Sequence, residues 1–272
     1  MNILYKYCNI SGTTGILTSL ELKLPFISEV NDPSDCSPIF FFGDDTAKAK
    51  AMWLRAFKSK NIVVFPDTKN ILLTEDGKKQ IIDGQRQLQE NRNRNKGCLL
   101  SVSANERNAV MWAHYTEVHK GAVIGFDFDT IRADKGGIKM DPVIYSEHRP
   151  KLDVLQHDDI KKLNEALMTK SLNWAYEKEF RTVFVVDAGQ RGAMDLVNLK
   201  QRGLASLKDF NGKETWFLRV NPLSIKKVIF GLYADGDLKV AIRKLIDGSQ
   251  LQNVELYQAT ESETYEFDIV EL

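Results

Sequence analysis

The stretch Leu99-Leu-Ser-Val-Ser-Ala-Asn-Glu-Arg-Asn-Ala-Val-Met-Trp-Ala-His-Tyr-Thr-Glu-Val-His-Lys-Gly-Ala-Val-Ile-Gly-Phe-Asp-Phe128 decides how the chain folds. Leu99 to Ser103 predicts a strand, Asn108 to Thr116 a helix, and Gly121 to Phe128 a strongly apolar, buried strand. Working outward, Ile3 to Cys8 is a short strand and Gly15 to Glu21 a helix. Phe26 to Pro38, around Asn31-Asp-Pro33, is turn chemistry. Asp44-Asp45 cap a helix through Ala47, Ala51, Trp53 and Leu54, and Ile62 to Phe65 is a strand. Thr74 to Asn91 is a polar helix, running into Asn91-Arg-Asn-Arg-Asn-Lys96, read as a solvated basic loop. Further on come a strand at Val143 to Ser146, a long amphipathic helix from Asp158 to about Tyr176, and a strand at Phe180 to Val186. Strands at Thr215 to Val220, Lys227 to Leu232, Val254 to Tyr257 and Tyr265 to Val270, with a helix near Leu238 to Ile246, complete the chain. Helices and strands mix without strict alternation. That predicts a single α+β domain over residues 1–272, its mixed, largely antiparallel sheets flanked by helices.

With 272 residues, 43% of them hydrophobic and 27% charged, the chain can bury a large core without staples. A formal net charge of zero argues against a general electrostatic grip on nucleic acid, which wants a basic domain. Cys8, Cys36 and Cys98 are widely spaced and show neither a disulfide framework nor a zinc site. The start, Met-Asn-Ile-Leu-Tyr-Lys-Tyr, has no signal-peptide stretch, and no apolar run nears the roughly 18 residues of a membrane span. The expectation is a cytoplasmic protein with no membrane partner. G-x-S-x-G, P-loop, G-x-G-x-x-G and H-E-x-x-H motifs are absent. On a helix His114 and His119 would lie about 140° apart, and His148 and His157 form no cluster, so no metal is expected.

Two segments combine polar and aromatic residues beyond what a core asks for. In the first, Trp112, Tyr115 and His119 fall within about 60° of one another at helical spacing. They read either as a half-buried stripe sealing a helix against a sheet, or as an aromatic pocket wall with His119 or His114 supplying a hydrogen bond. The second is Lys170-Ser-Leu-Asn-Trp-Ala-Tyr-Glu-Lys-Glu-Phe-Arg181, with Lys170, Trp174 and Glu177 on one helical face. If the chain then turns extended, Glu177, Glu179 and Arg181 alternate onto a common face. This is either a structural ion-pair ladder or a carboxylate site whose orientation Arg181 fixes by a bidentate bond.

The ordered motifs Leu4-Tyr-Lys-Tyr7, Asn31-Asp-Pro-Ser-Asp35, Ser101/Ser103, Met111-Trp-Ala-His-Tyr115 and His119-x-Gly121 open a specific series. It continues through Gly125-Phe-Asp127, Tyr145 with Pro150, Lys170-Ser-x-x-Trp174-x-Tyr-Glu-x-Glu-x-Arg181 and Val228-Ile-Phe-Gly231. The chain thereby resembles the bacterial domain of unknown function 2971 family over nearly its whole length. It departs at Ser34, where the family more often has an aromatic. The family implies no reaction. More distantly, the Tyr-Lys-Tyr strand, the Ser-x-Ser strand and the late Glu-x-Glu are similar to the ADP-ribosyltransferase pattern. That resemblance implies NAD as substrate, Ser101 and Ser103 shaping the nicotinamide pocket, and Glu179 on the ribose. It implies Glu177 orienting an acceptor, either protein or nucleic acid, in a toxin or defence setting. Lys6 or Tyr7 stands where that pattern has Arg or His.

The expected pocket therefore has catalytic Glu179, Glu177 and His119. Its ligand-binding residues are Tyr5, Lys6, Asn31, Asp32, Ser101, Ser103, Trp112, His114, Tyr115, Lys170, Trp174 and Arg181. A small nucleotide is the expected ligand. Two other readings stay open: a glycosidic or nucleotide hydrolase using Glu177 and Glu179 as an acid/base pair, and a non-catalytic ligand- or partner-binding module.

Overall fold

Nine strands share one open sheet in the computed structural model, which describes residues 3–44, 47, 51, 74–156, 160–186 and 194–272. They are β1 (Ile3–Cys8), β2 (Gly97–Ser103), β3 (Ala122–Asp127), β4 (Asp141–Pro142), β5 (Glu179–Val185), β6 (Met194–Asp195), β7 (Ile225–Phe230), β8 (Glu255–Thr260) and β9 (Asp268–Glu271). The order is β6-β5-β2-β1-β3-β7-β8-β9, with β4 also paired to β5. Neighbours run antiparallel except β5–β6 and β7–β8. Every residue of β3 is buried. A strand covered on both faces needs a continuous apolar run rather than alternation, and Ala122-Val-Ile-Gly-Phe supplies it. The architecture is mixed α+β.

Covering helices are α1 (Ile10–Ser19), α2 (Glu75–Asn95), α3 (Ala109–Tyr115), α4 (Ile160–Leu167), α5 (Leu196–Gln201) and α6 (Gly236–Ile246). Asn9, Thr74, Asn108, Asp195 and Asp235 each accept a bond from a first-turn amide, satisfying donors a helix start leaves open. On one sheet face Leu4, Leu100, Ile124, Phe126 and Phe230 pack with Leu22, Leu24, Trp216 and Leu218 of a separate three-stranded sheet. On the other face Tyr5, Tyr7, Val123 and Ile229 pack with Met111 and Trp112 of α3. Among the described residues, no helix is long and apolar enough to cross a membrane.

Several local expectations change. The helix expected at Gly15 to Glu21 is α1, Ile10–Ser19; Leu20 takes the left-handed conformation that ends it, and Glu21–Leu24 is a strand. The long helix ending near Tyr176 is instead α4, a strand Thr169–Ser171 paired with Ile144–Ser146, and a 3-10 turn Leu172–Glu177. A 3-10 turn keeps apolar groups at near-helical spacing, which is why it mimics a helix in sequence. The basic run is the last turn of α2, with Arg92 and Arg94 where the helix dipole favours cations. α5 and the strand Ala205–Phe210 were not expected; that strand forms a hairpin with Lys213–Arg219, where a strand at Thr215 to Val220 was expected, and its Asn211-Gly212 loop has both residues at positive φ, 56° and 77°, as a type I′ turn requires. Finally, α3 ends at Tyr115, and Glu117, Val118 and His119 all take positive φ, so His119 does not continue a helical stripe. Trp53, Leu54, Ile62 to Phe65, His157 and Asp158 lie outside the described residues.

The turn after α3 is locked by close backbone approach. A Cβ on Gly231 would stand 2.2 Å from the His119 carbonyl oxygen, whereas one on Gly84, inside α2, would meet nothing within 4 Å. Gly231→Ala should lower the unfolding free energy by about 1–3 kcal/mol. Gly84→Ala should raise it by about 0.5–1 kcal/mol. Urea denaturation at unchanged m-value checks both.

Candidate functional site

β1 and β2 meet at one residue pair, Tyr5 opposite Ser103, although β1 pairs six residues with β3 and β2 pairs seven with β5. The sheet is therefore split at its middle. In the split lies a cavity of about 170 Å³, lined also by Pro25 and by Val30 and Asn31 of the turn-rich segment. The β2–β5 register sets Glu179 opposite Ser103 and Arg181 opposite Ser101, which brings the serine strand and the Glu-x-Glu segment together.

Arg181 is 1% exposed. Its Nη1 and Nη2 donate to the two Asp35 oxygens at 2.9 and 2.7 Å, and Nε donates to Glu179 Oε1 at 2.8 Å. Nη1 also donates to the Leu167 carbonyl at 2.9 Å, satisfying an acceptor at the end of α4. Lys170 Nζ donates to Glu177 Oε2 at 2.5 Å and Glu179 Oε2 at 2.9 Å, beneath the Trp174 ring. Both carboxylates reach one ammonium because Lys178, in the left-handed region at φ 44°, turns the chain from the 3-10 turn into β5. Tyr115 donates its hydroxyl hydrogen to Glu177 Oε1 at 2.5 Å and accepts from Asn31 Nδ2 at 3.0 Å.

These contacts set the protonation states. Burial would raise the Glu179 carboxyl, but the Arg181 and Lys170 charges overcome it and hold the group down to about 2. Burial lowers the Lys170 ammonium, and Glu179 and Glu177 outweigh it, so the net shift is upward. Burial and the Glu177 hydrogen bond push the Tyr115 phenol up. Lys6 goes the other way: burial pushes its ammonium down despite Glu179 and Glu177 nearby.

Of the expected residues, Tyr5, Lys6, Asn31, Ser101, Ser103, Tyr115, Lys170, Glu177, Glu179 and Arg181 line this one cavity. Asp32 and Trp174 pair with each other at 2.9 Å outside its lining. Trp112 is 0% exposed, packed edge-on against Tyr7 and Phe267 with its Nε1 donating to the Glu106 carbonyl, so it is core and not a pocket wall. His114 faces outward near Tyr176, and His119 packs against Tyr233 and Phe267 with its Nδ1 unpartnered; neither lines the cavity. Asp35 was missed, as was Tyr145, whose hydroxyl accepts from the Glu179 amide at 2.8 Å. A buried guanidinium at Arg181 needs carboxylate partners, a signal that could have pointed to Asp35.

The fold and cavity define an α+β protein with a buried ionic cluster facing a small split-sheet pocket. Residues 111–182 match the family model described as Protein of unknown function (DUF2971), the family the ordered motifs resemble. That span contains Tyr115, Lys170, Glu177, Glu179 and Arg181 of the cavity, and neither Lys6 nor Asp35. No curated protein and no solved structure matches the chain.

Removing Arg181 takes the bidentate partner from the buried Asp35 and leaves Glu179 with Lys170 alone, so Arg181→Met should cost about 3–5 kcal/mol in a denaturant titration. Glu179 has a folded pKa below its unfolded value, so its stabilising contribution is present above the ordinary 4.5 and disappears as pH falls toward about 2. Thermal midpoints measured from pH 6 to pH 2 should show this acid limb, and Glu179→Gln should flatten it.

Proposed function

We propose that the cavity receives the nicotinamide–ribose end of NAD and that the chain is an ADP-ribosyltransferase-like enzyme, passing ADP-ribose to a protein or nucleic-acid acceptor. One observation carries the reading: an ionised Glu179, Glu177 and both serines of β2 face a single cavity in a split sheet. Cleaving the nicotinamide–ribose bond builds positive charge on the ribose. A fixed carboxylate, already desolvated and held by Arg181 and Lys170, offers that charge a partner without reorganisation. Three carboxyl groups, those of Asp35, Glu177 and Glu179, line the cavity, which suits a ligand carrying positive charge, as the nicotinamide ring of NAD does. The cavity, about 170 Å³, is below the ~300 Å³ at which small-molecule sites commonly begin, so the adenylate would lie outside it. A toxin or defence role belongs to the same analogy.

The acid/base hydrolase loses Glu179 as its acid, because a carboxyl held near 2 carries no proton to donate at neutral pH. A non-catalytic binding module is the second reading. It is favoured by the hydrogen bonds that every Glu177 and Glu179 oxygen already accepts from Tyr115, Lys170 and Arg181. Incubation with NAD labelled separately in its nicotinamide and adenine halves tests the proposal. The expected result is nicotinamide release with label on an acceptor, reduced about 10²–10³-fold in Glu179→Gln and less in Glu177→Gln, per folded molecule. Nicotinamide release without transfer would make the chain a glycohydrolase, and no release from the parent protein would leave the module.

A further inference from the structure

Three cations reach the cavity, and two are fully committed. Lys170 and Arg181 spend their donors on Asp35, Glu177, Glu179 and the Leu167 carbonyl. Lys6 does not. Its Nζ donates to one acceptor, the Ser101 carbonyl at 2.9 Å, which β1 leaves unpaired where the sheet splits. No carboxylate oxygen among the described residues lies within 4.0 Å of it. The residue as a whole is half-buried, but its ammonium end is enclosed, and it lines the cavity together with Glu177 and Glu179.

We propose that Lys6 is a covalent capture site, forming a Schiff base through Nζ with a small α-hydroxyaldehyde held in the split-sheet cavity. An amine that is desolvated, tethered by one hydrogen bond and free of a salt bridge has the surroundings that make lysine a nucleophile. Burial shifts it toward the neutral form, which agrees with the geometry. Carboxylate oxygens of Glu177 and Glu179 line the same space and accept the hydroxyl hydrogens of such a ligand. The cavity volume limits the ligand to a few carbons.

The chemistry balances without any co-reactant. The Nζ lone pair attacks the aldehyde carbon, a C–N bond forms, and the carbonyl oxygen takes a proton to give a carbinolamine. The nitrogen lone pair then forms C=N as the C–O bond breaks, and both amine protons leave with the oxygen as one water. The imine links Lys6 to the ligand carbon, and the step is reversible.

This proposal is independent of NAD turnover, so either can fail alone. The test uses the full chain with glycolaldehyde and cyanoborohydride, which reduces an imine to a stable secondary amine. Intact mass and peptide mapping at pH 6.5–8 locate the adducts. Lys6 should be labelled first, at a pH where surface lysines remain protonated, since these titrate near 10.4. In Lys6→Arg, which keeps a donor for Ser101, that adduct should vanish while the slow surface labelling and the thermal midpoint persist. Adducts spread over surface lysines with Lys6 unmodified in the folded parent protein would overturn the assignment. So would a Lys6 adduct no faster than the surface ones.

Discussion

Arg181 ties together three separate parts of the chain. Its donors are shared among Asp35 in the turn-rich segment, Glu179 on its own strand and the Leu167 carbonyl at the end of α4. Taking a guanidinium and two carboxylates out of water carries a large desolvation penalty, which only near-complete hydrogen bonding offsets. An apolar cluster of equal volume would hold the same elements at least as firmly. The ion pairs therefore speak for position more than for stability: they fix an ionised Glu179, with Glu177 beside it, at the wall of a cavity.

The cavity exists because the sheet is interrupted. Six residue pairs join β1 to β3 and one joins it to β2, so the backbone ladder stops just where a polar surface begins. A split normally leaves backbone acceptors open. Here the Lys6 side chain reaches across to the Ser101 carbonyl and does a strand amide's work. Core packing continues beneath, with Leu4, Leu100 and Val102 on the face that meets the three-stranded sheet. The gap thus interrupts hydrogen bonding without emptying the core.

Much of this was legible in the sequence, for identifiable reasons. The apolar run at Ala122 to Phe126 and the serine-bearing β2 are local patterns, and both strands form as expected. The i, i+2 spacing of Glu179 and Arg181 gave their shared face, because a strand enforces that period. What stayed hidden was set by distance or by backbone conformation. Asp35 is one more acidic residue in a turn until Arg181, 146 positions later, is placed against it. Lys170 looked helical because the 3-10 turn after it keeps the apolar spacing of a helix. Trp112 and His119 look alike as amphipathic rings. A carbonyl acceptor at Glu106 lets the indole enter the core, and a left-handed turn carries the imidazole away from the cavity. Neither event has a local sequence signal strong enough to overrule helical periodicity.

Among the ties that hold the turn-rich segment over the cavity are Asn31 to Tyr115, Asp32 to Trp174 and Asp35 to Arg181, over separations of 84, 142 and 146 residues. Contacts so remote in sequence cannot form until both ends of the loop exist, and each carries a loop-closure entropy. On a chain made from its N-terminus, Asp35 emerges long before the guanidinium that will neutralise it. Until then it must stay hydrated, and its segment open. The pocket is thus a product of the last stage of assembly, closed only when the second half of the chain has arrived to receive the first.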